Sequence, residues 1–312
     1  MKKLYTIEND EPEKLLRLDE LLRKKIPQII KNDVSNSKIR RLIIAGAVFV
    51  DGRQIRVPGA NLGKKAVVTV ELDEEKLFFE KTPDDISFEV DEKSVLYEDD
   101  SIIVVNKPSF FPTEAGMVES RDNLHAAVIR YLHGKNPSLR NPPYVGVMHR
   151  LDRETSGVIL FTKKRSVNAA CHDMFEQHTA RKIYHAVVST VCKEDSFSVD
   201  MLMGRISPKS QAAKWGRVKR DGLSSHTDFN VFGAVVRNGK KYSVIECRPQ
   251  TGRTHQIRVH LASVGLPILG DVLYGGSKFS RIMLHAASLE FPHPETGKIT
   301  LVSAPEPPEF VD

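Results

Sequence analysis

The chain has 312 residues, is 40% hydrophobic and 28% charged, and carries a formal net charge of +6. That size fits two domains or one large one, and that balance excludes a disordered chain. The best apolar run, Leu42 to Val50, is nine residues long, too short to cross a bilayer as a helix. The opening MKKLYTIENDEPEK has no apolar stretch behind its lysines, so no signal peptide is expected. Cys171, Cys192 and Cys247 lie far apart and form no CxxC pair, which points to a reducing cytoplasm and away from zinc.

The charge is uneven. Residues 14–70 hold thirteen Lys and Arg against four Asp and Glu, a balance of +9, so the remainder sums to −3. A small basic module on a nearly neutral body is the pattern of a nucleic-acid anchor attached to something else. A face that only aids solubility is the blander alternative.

Residues 1–13 read as a polar tail. In EKLLRLDELLRKKIP, Leu15, Leu18 and Leu22 fall on one helical face, with Pro27 near the expected end. A second helix is signalled by Ser37 as its N-cap, with Ile39, Leu42 and Ile43 on one face and Gly46 at its stop. Lys38 and Arg41 share the opposite face, with Arg40 beside them. AVFVDGRQIRV reads as a strand, an Asp51-Gly52 turn and a second strand, and AVVTVEL as one more. This order, and SKIRRLIIAGAVFVDGR above all, is similar to the S4 RNA-binding domain. The resemblance implies that Lys38, Arg40 and Arg41 meet a phosphate backbone, as cations on one helical face are suited to do.

KLFFEKTPDDISFEVDE, residues 76–92, reads as a charged linker running into a strand. Beyond it SVLYEDDSIIVVNKP gives two strands around an acidic turn. GVILFTKK, KIYHAVVST, YSVIECRPQ and ITLVSAP give further strands, and DNLHAAVIRYLHG and SVNAACHDMFEQH give helices. The βαβ alternation of a doubly wound fold is absent, so the expected class is α+β. Residues 204–226 read as a basic loop around Trp215, in which Lys214 and Arg217 grip RNA by charge and stacking; a solvated loop whose Trp packs on the body is the alternative.

HRLDRETSG, residues 149–157, crowds Arg150, Arg153, Asp152, Glu154 and His149 against the apolar run Val158–Phe161. A loop entering a core strand is where enzymes mount chemistry. A carboxylate flanked by arginines stays ionised, free to act as nucleophile, base or half of an ion pair. GxSxG, HExxH, GxGxxG and P-loop patterns are missing from the sequence. A second dense stretch, RPQTGRTHQIRVHLASVGLPILGD, spans 248–271. Read as a strand, HQIRVH places Gln256, Arg258 and His260 on one face. An arginine between apolar residues needs a carboxylate, and Asp152 is the inferred partner of Arg258.

HRLDRETSGVILFTK resembles the motif of the large-ribosomal-subunit-type (RluA-family) pseudouridine synthases. IIVVNKPS, ARKIYHAVV and TGRTHQIRVHLASVGLPILGDVLYG follow the family's order, so the likeness covers residues 95–312. It implies a mixed, mainly antiparallel sheet flanked by helices, behind the S4-type domain. The implied division is a tail over 1–13, the S4-like domain over 14–75, the linker over 76–92 and a catalytic domain over 93–312. It implies Asp152 as nucleophile, Arg258 as its partner, Tyr184 stacked on the target uracil, and Arg150 holding the nucleotide out of its helix. The substrate implied is structured RNA, foremost large-subunit ribosomal RNA, with transfer RNA as the alternative target. No cofactor, metal or membrane is implied, and no protein partner. A non-catalytic RNA-binding assembly protein and a purely structural Asp152–Arg258 pair are the competing readings. One departure stands out: Phe110-Phe111 occupies the place where the family runs Gly-Leu, which is expected to alter the rim of the site.

Overall fold

The computed structural model describes residues 3–8, 16–31, 33–63, 65–72, 86–114, 122–207, 213–237 and 239–310. The chain divides into two compact units, Met1–Asp84 and Asp85–Asp312.

In the first unit, helix α1 (Leu18–Ile30) buries Leu18, Leu22 and Ile26, one residue per turn, with Leu21 alongside. Leu15 lies outside the described residues. Pro27 sits inside α1 rather than at its end, and Lys31 closes the helix in the left-handed conformation. Helix α2 (Asn36–Ile44) is capped by Ser35, whose hydroxyl accepts the Lys38 N–H at 3.4 Å. The cap is therefore two residues before Ser37, which lies inside the helix. Ile39 and Ile43 of α2 pack onto the same core. Gly46 follows with φ +79°, and its N–H returns to the Ile43 carbonyl.

Strands β1 (Lys3–Glu8), β2 (Val48–Val50), β3 (Arg53–Gln54) and β4 (Val67–Leu72) form an antiparallel sheet in the order β1-β4-β2-β3. Asp51 and Gly52 both have positive φ, +49° and +76°, so the β2–β3 turn twists with its strands. β1 corrects the reading of residues 1–13 as a tail: its side chains alternate, and Ile7 is buried in the core.

The second unit is α+β around an eleven-stranded sheet. Its strands are β5 (Val95–Glu98), β6 (Ile102–Lys107), β7 (Gly146–Val147), β8 (Ser156–Thr162), β9 (Arg181–Val187), β10 (Ser196–Arg205), β11 (Trp215–Arg217), β12 (Leu223–Arg237), β13 (Lys240–Pro249), β14 (Leu284–Pro292) and β15 (Ile299–Ser303). The order is β11-β10-β12-β13-β9-β14-β8-β6-β5, with β15 on β14 and β7 on β8. Among the described residues only β8 and β14 pair in parallel. Helices α3 (Leu124–Lys135), α4 (Asn168–Glu176) and α5 (Gln256–Ser263) complete the unit.

Strands β6 and β8 are buried on both faces. Ile103, Val105, Ile159 and Phe161 share a core cluster with Leu124, Ala127 and Val128 of α3. Ile102, Val104, Val158 and Leu160 share another with Cys171 and Met174 of α4. That two-sided burial is why both strands read as continuous apolar runs. Gly157, at the entry of β8, has φ +113°, and a Cβ there would stand 2.1 Å from the Ala286 carbonyl oxygen of β14. The glycine thus allows the close approach that hangs the 149–155 loop on the end of the central strands.

Three expectations are corrected here. Residues 76–85 lie outside the described residues, and 86–92 belong to the second unit and form no strand. Val90 is buried, and Phe88 packs edge-on against Phe111 at 5.5 Å. The stretch 204–226 is not one loop: it contains the end of β10, all of β11 and the start of β12, with 208–212 outside the described residues. Trp215 packs against the core, as in the blander reading. Finally, HQIRVH is not a strand: His255 precedes a helix that runs from Gln256 to Ser263. Gln256 through Leu261 are buried on every side, and in so short a segment the alternation of residue types cannot separate helix from strand.

Candidate active site

Asp152 lies in the loop between β7 and β8, and the stretch from Lys107, the last residue of β6, to Thr113 holds that loop. Lys107 is fully buried, and its ammonium donates to the carbonyls of Pro108, Phe111 and Arg153 at 2.8–3.0 Å. Burial pulls it down to about 7, against the opposing charge of Glu154. Ser109 donates to the Glu154 carbonyl at 2.5 Å, and Thr113 donates to the Leu151 carbonyl at 2.9 Å. These bonds are the physical reason two distant motifs belong together: one is the scaffold of the other.

His149 is structural. Its Nε2 accepts the Leu160 N–H at 3.0 Å, its ring packs on Phe175 at 4.5 Å, and burial lowers it to about 3. It is a neutral imidazole, not a base.

Arg258 enters from α5. Its Nη1 donates to Asp152 Oδ2 at 3.2 Å, as the sequence reading inferred. The route to that pair differs, because Arg258 sits on a helix and not a strand. It also has a second carboxylate partner. Nε and Nη2 both donate to Asp271, at 2.7 and 3.0 Å. Burial opposes the guanidinium charge, but the hydrogen bonds and charges of Asp271 and Asp152 outweigh it and hold Arg258 protonated. Asp152 is half-buried, whereas Asp271 is buried.

Tyr184, on β9, is half-buried beside them. Burial first, and then the Asp152 charge, push its phenol above its ordinary value, so the hydroxyl stays un-ionised. His255, immediately before α5, has φ +58°. Its Nε2 is 3.8 Å from Asp152 Oδ2, and its Nδ1 is 2.9 Å from the Tyr274 hydroxyl, which accepts the Trp215 N–H at 3.1 Å. Burial lowers the imidazole, with the Asp152 charge opposing. Arg150 is exposed and pairs with Glu114 at 2.9 Å.

Asp152, Arg150, Tyr184 and Arg258 all line one cleft of about 940 Å³. Lys214 and Arg217 do not line it. Lys214 lies 5.7 Å over the Tyr274 ring and Arg217 is exposed on β11. On α2 of the first unit, Arg40 is exposed and Lys38 and Arg41 are half-buried. Phe110 and Phe111 are not at the cleft rim, contrary to expectation. Phe111 is core, and Phe110 has φ +62° with Arg153 5.2 Å over its ring. Among the described residues one group, His172, Asp173 and Glu176, brings three metal-ligating atoms within 4.8 Å. It is an exposed helix face and holds no buried ligand.

Three residues of the site went unread in the sequence: Asp271, His255 and Tyr274. Asp271 carried a signal, since a buried arginine with three donor nitrogens can serve more than one carboxylate.

The model of the RNA pseudouridylate synthase family matches residues 101–263. The chain belongs to that family. It is an RNA pseudouridine synthase of the RluA type, an isomerase. Ribosomal large subunit pseudouridine synthase D of Neisseria meningitidis serogroup A is 32% identical over 311 residues, covering 94% of this chain and 76% of the relative. Ribosomal large subunit pseudouridine synthase C of Escherichia coli K12 is 36% identical over 228 residues, 68% of this chain and 66% of the relative. The solved structure of human RNA Pseudouridylate Synthase Domain Containing 1 superposes with a TM-score of 0.56 at 25% identity, covering 69% of this chain and 83% of that one. The match to the pseudouridine synthase model runs from the turn before β6 through α5, so it contains Asp152, Tyr184 and Arg258. Asp271 and Tyr274 lie beyond it.

Proposed function

We propose that this synthase acts on large-subunit ribosomal RNA, with Asp152 as its nucleophile. The observation that carries the reading is the held carboxylate. Asp152 opens onto the cleft, one Arg258 nitrogen reaches it, and Asp271 occupies the other two. A nucleophile needs charge, fixed orientation and access, and this arrangement supplies all three. The names of the two bacterial relatives support the choice of ribosomal RNA.

The reaction breaks N1–C1′ and C5–H and makes C5–C1′ and N1–H. Atoms and electrons balance within one uridine, so the chemistry calls for no cofactor or metal. The reacting atoms are hidden in a stacked strand, so the uridine must be flipped out. Arg150, exposed at the mouth of the cleft, fills the vacated place. The protonated Tyr184 ring stacks on the uracil.

The first unit, with two helices and an antiparallel sheet, serves as an S4-like anchor in which Lys38, Arg40 and Arg41 meet phosphates. Lys214 and Arg217 extend the contact from β11. The place of action is the cytoplasm. Among the described residues no helix is long and apolar enough to cross a membrane.

Pseudouridine mapping of ribosomal and transfer RNA, with and without the gene, tests the reading. Loss of sites in large-subunit ribosomal RNA is expected. Loss confined to transfer RNA would redirect the substrate assignment, and loss nowhere would contradict it.

A further inference from the structure

Five cations line the cleft: Arg150, Arg153, Lys182, Arg253 and Arg258. Three are matched by carboxylates. Arg150 has Glu114, Arg153 has Glu154 at 3.1 Å, and Arg258 has Asp152 and Asp271. Among the described residues Lys182 and Arg253 form no ion pair, and they are neighbours. Lys182 is two residues before Tyr184 on β9, so both side chains leave the same face of the strand, roughly 6.7 Å apart along it. The Lys182 ammonium stands 3.6 Å from where a Cβ on Gly252 would be, and apart from the chain neighbours Thr251 and Arg253 no other residue comes within 4 Å of that point. Arg253 follows Gly252, anchored by its Nε, which donates to the Ser224 carbonyl at 3.0 Å.

Two adjacent half-buried cations repel one another. Burial, and then the charge of Arg253, pull the Lys182 ammonium below its ordinary value, and Lys182 in turn depresses His149. Among the described residues no carboxylate pairs with either cation, and beyond its chain neighbours the space over Gly252 holds only the Lys182 ammonium. An arrangement of this kind is completed by an anion that arrives with the substrate.

We propose that Lys182, Arg253 and the open space over Gly252 form a phosphate subsite, which takes an RNA backbone phosphate next to the target uridine. The inference rests on the reading of the cleft as the RNA site. It assigns the subsite the task of fixing the strand so that the flipped base lands between Tyr184 and Asp152. Gly252 belongs to the subsite because a side chain there would fill the phosphate's place. Gly252 does not have a positive φ, so alanine fits its backbone.

The test uses the full chain and a synthetic strand copying the ribosomal segment in which the wild-type protein makes pseudouridine. One version is all phosphodiester. Two others carry a neutral methylphosphonate linkage, 5′ or 3′ of the target. Affinity is measured against salt for wild type, Lys182→Met, Lys182→Arg and Gly252→Ala. For wild type, one of the neutral linkages lowers the slope of log affinity against log salt by about 0.7. Lys182→Met lowers it equally on the native strand and is then indifferent to that linkage, and Lys182→Arg restores the wild-type response. Gly252→Ala weakens binding with both cations in place. A wild-type slope in Lys182→Met overturns the subsite, as does an equal response of both proteins to each linkage. A collapse of the single-turnover rate at saturating RNA, with the slope intact, also overturns it by assigning Lys182 to proton transfer. Failure of the wild-type protein to make pseudouridine in any RNA would count against the functional reading instead.

Discussion

Arg258 and Asp271 are locked together by two hydrogen bonds of 2.7 and 3.0 Å, with both side chains buried. The clamp leaves Nη1 as the nitrogen that meets Asp152, and it shares one positive charge between two carboxylates. If Asp152 is the nucleophile, Asp271 acts on it as a positioning residue through Arg258.

Asp271→Asn keeps the shape of the clamp and removes its charge. The guanidinium is then less firmly aimed, and misplacement by about 1 Å can cost roughly 10²-fold in rate. We expect kcat to fall by about that factor with little change in KM, because Asp271 does not line the cleft. Steady-state kinetics check this. An equal loss in KM with kcat unchanged would place Asp271 in substrate binding instead.

The sequence was readable where one physical demand acts alone. Val158–Phe161 is apolar because β8 is buried on both faces, and the Asp51-Gly52 turn is explicit because only such residues accept two positive φ angles cheaply. The Asp152–Arg258 pairing followed from the cost of an unpartnered buried charge. The helical state of Gln256–Ser263 did not, because complete burial erases the amphipathic stripe. β1 was missed because its pairing with β4 spans some sixty residues and leaves no local mark beyond alternation. The scaffolding role of Lys107 was hidden for the opposite reason: a lysine reads as surface until three carbonyls are seen around its ammonium.

Tyr184 cannot act as a phenolate base near neutral pH. Its phenol is raised above the ordinary value of 10, so the ionised form appears only at still higher pH. The rate should show no limb belonging to Tyr184 below about pH 10. Tyr184→Phe should lower the rate while leaving the shape of the profile unchanged. A basic limb below pH 9 that disappears in Tyr184→Phe would show that the hydroxyl ionises during turnover.

Charge on α2 should act through affinity. Each lost phosphate contact flattens the plot of log affinity against log salt by roughly 0.7–0.9. Replacing Lys38, Arg40 and Arg41 by Gln should therefore reduce the slope by about 2, and Arg40→Gln alone by less than 1. Filter binding across a salt series measures this. Unchanged slopes in a folded triple variant would remove α2 from the RNA contact.

Asp99 should matter for stability and not for chemistry. It accepts from the N–H groups of Ser101 and Ile102, the Tyr97 hydroxyl and His293 Nε2. Burial raises its pKa, but these bonds outweigh burial and hold the carboxyl far below its ordinary 3.8. The folded-state value is depressed, so the stabilisation is present above about pH 3.8 and is lost as pH falls through the folded value. Asp99→Asn should cost about 1–3 kcal/mol in urea unfolding at pH 7 and less near pH 3. An equal cost at both values would show that the carboxylate charge is not the source.

The nucleophile is the central claim, and Asp152→Asn addresses it. The change preserves side-chain shape and removes the charge that Arg258 holds in place. The measurement is pseudouridine formation in an unmodified large-subunit ribosomal RNA transcript, with protein purified from a host lacking competing enzyme, alongside RNA affinity. The account predicts wild-type conversion, no conversion by Asp152→Asn, and RNA binding retained by both. Conversion by the Asn protein at a measurable rate would contradict it.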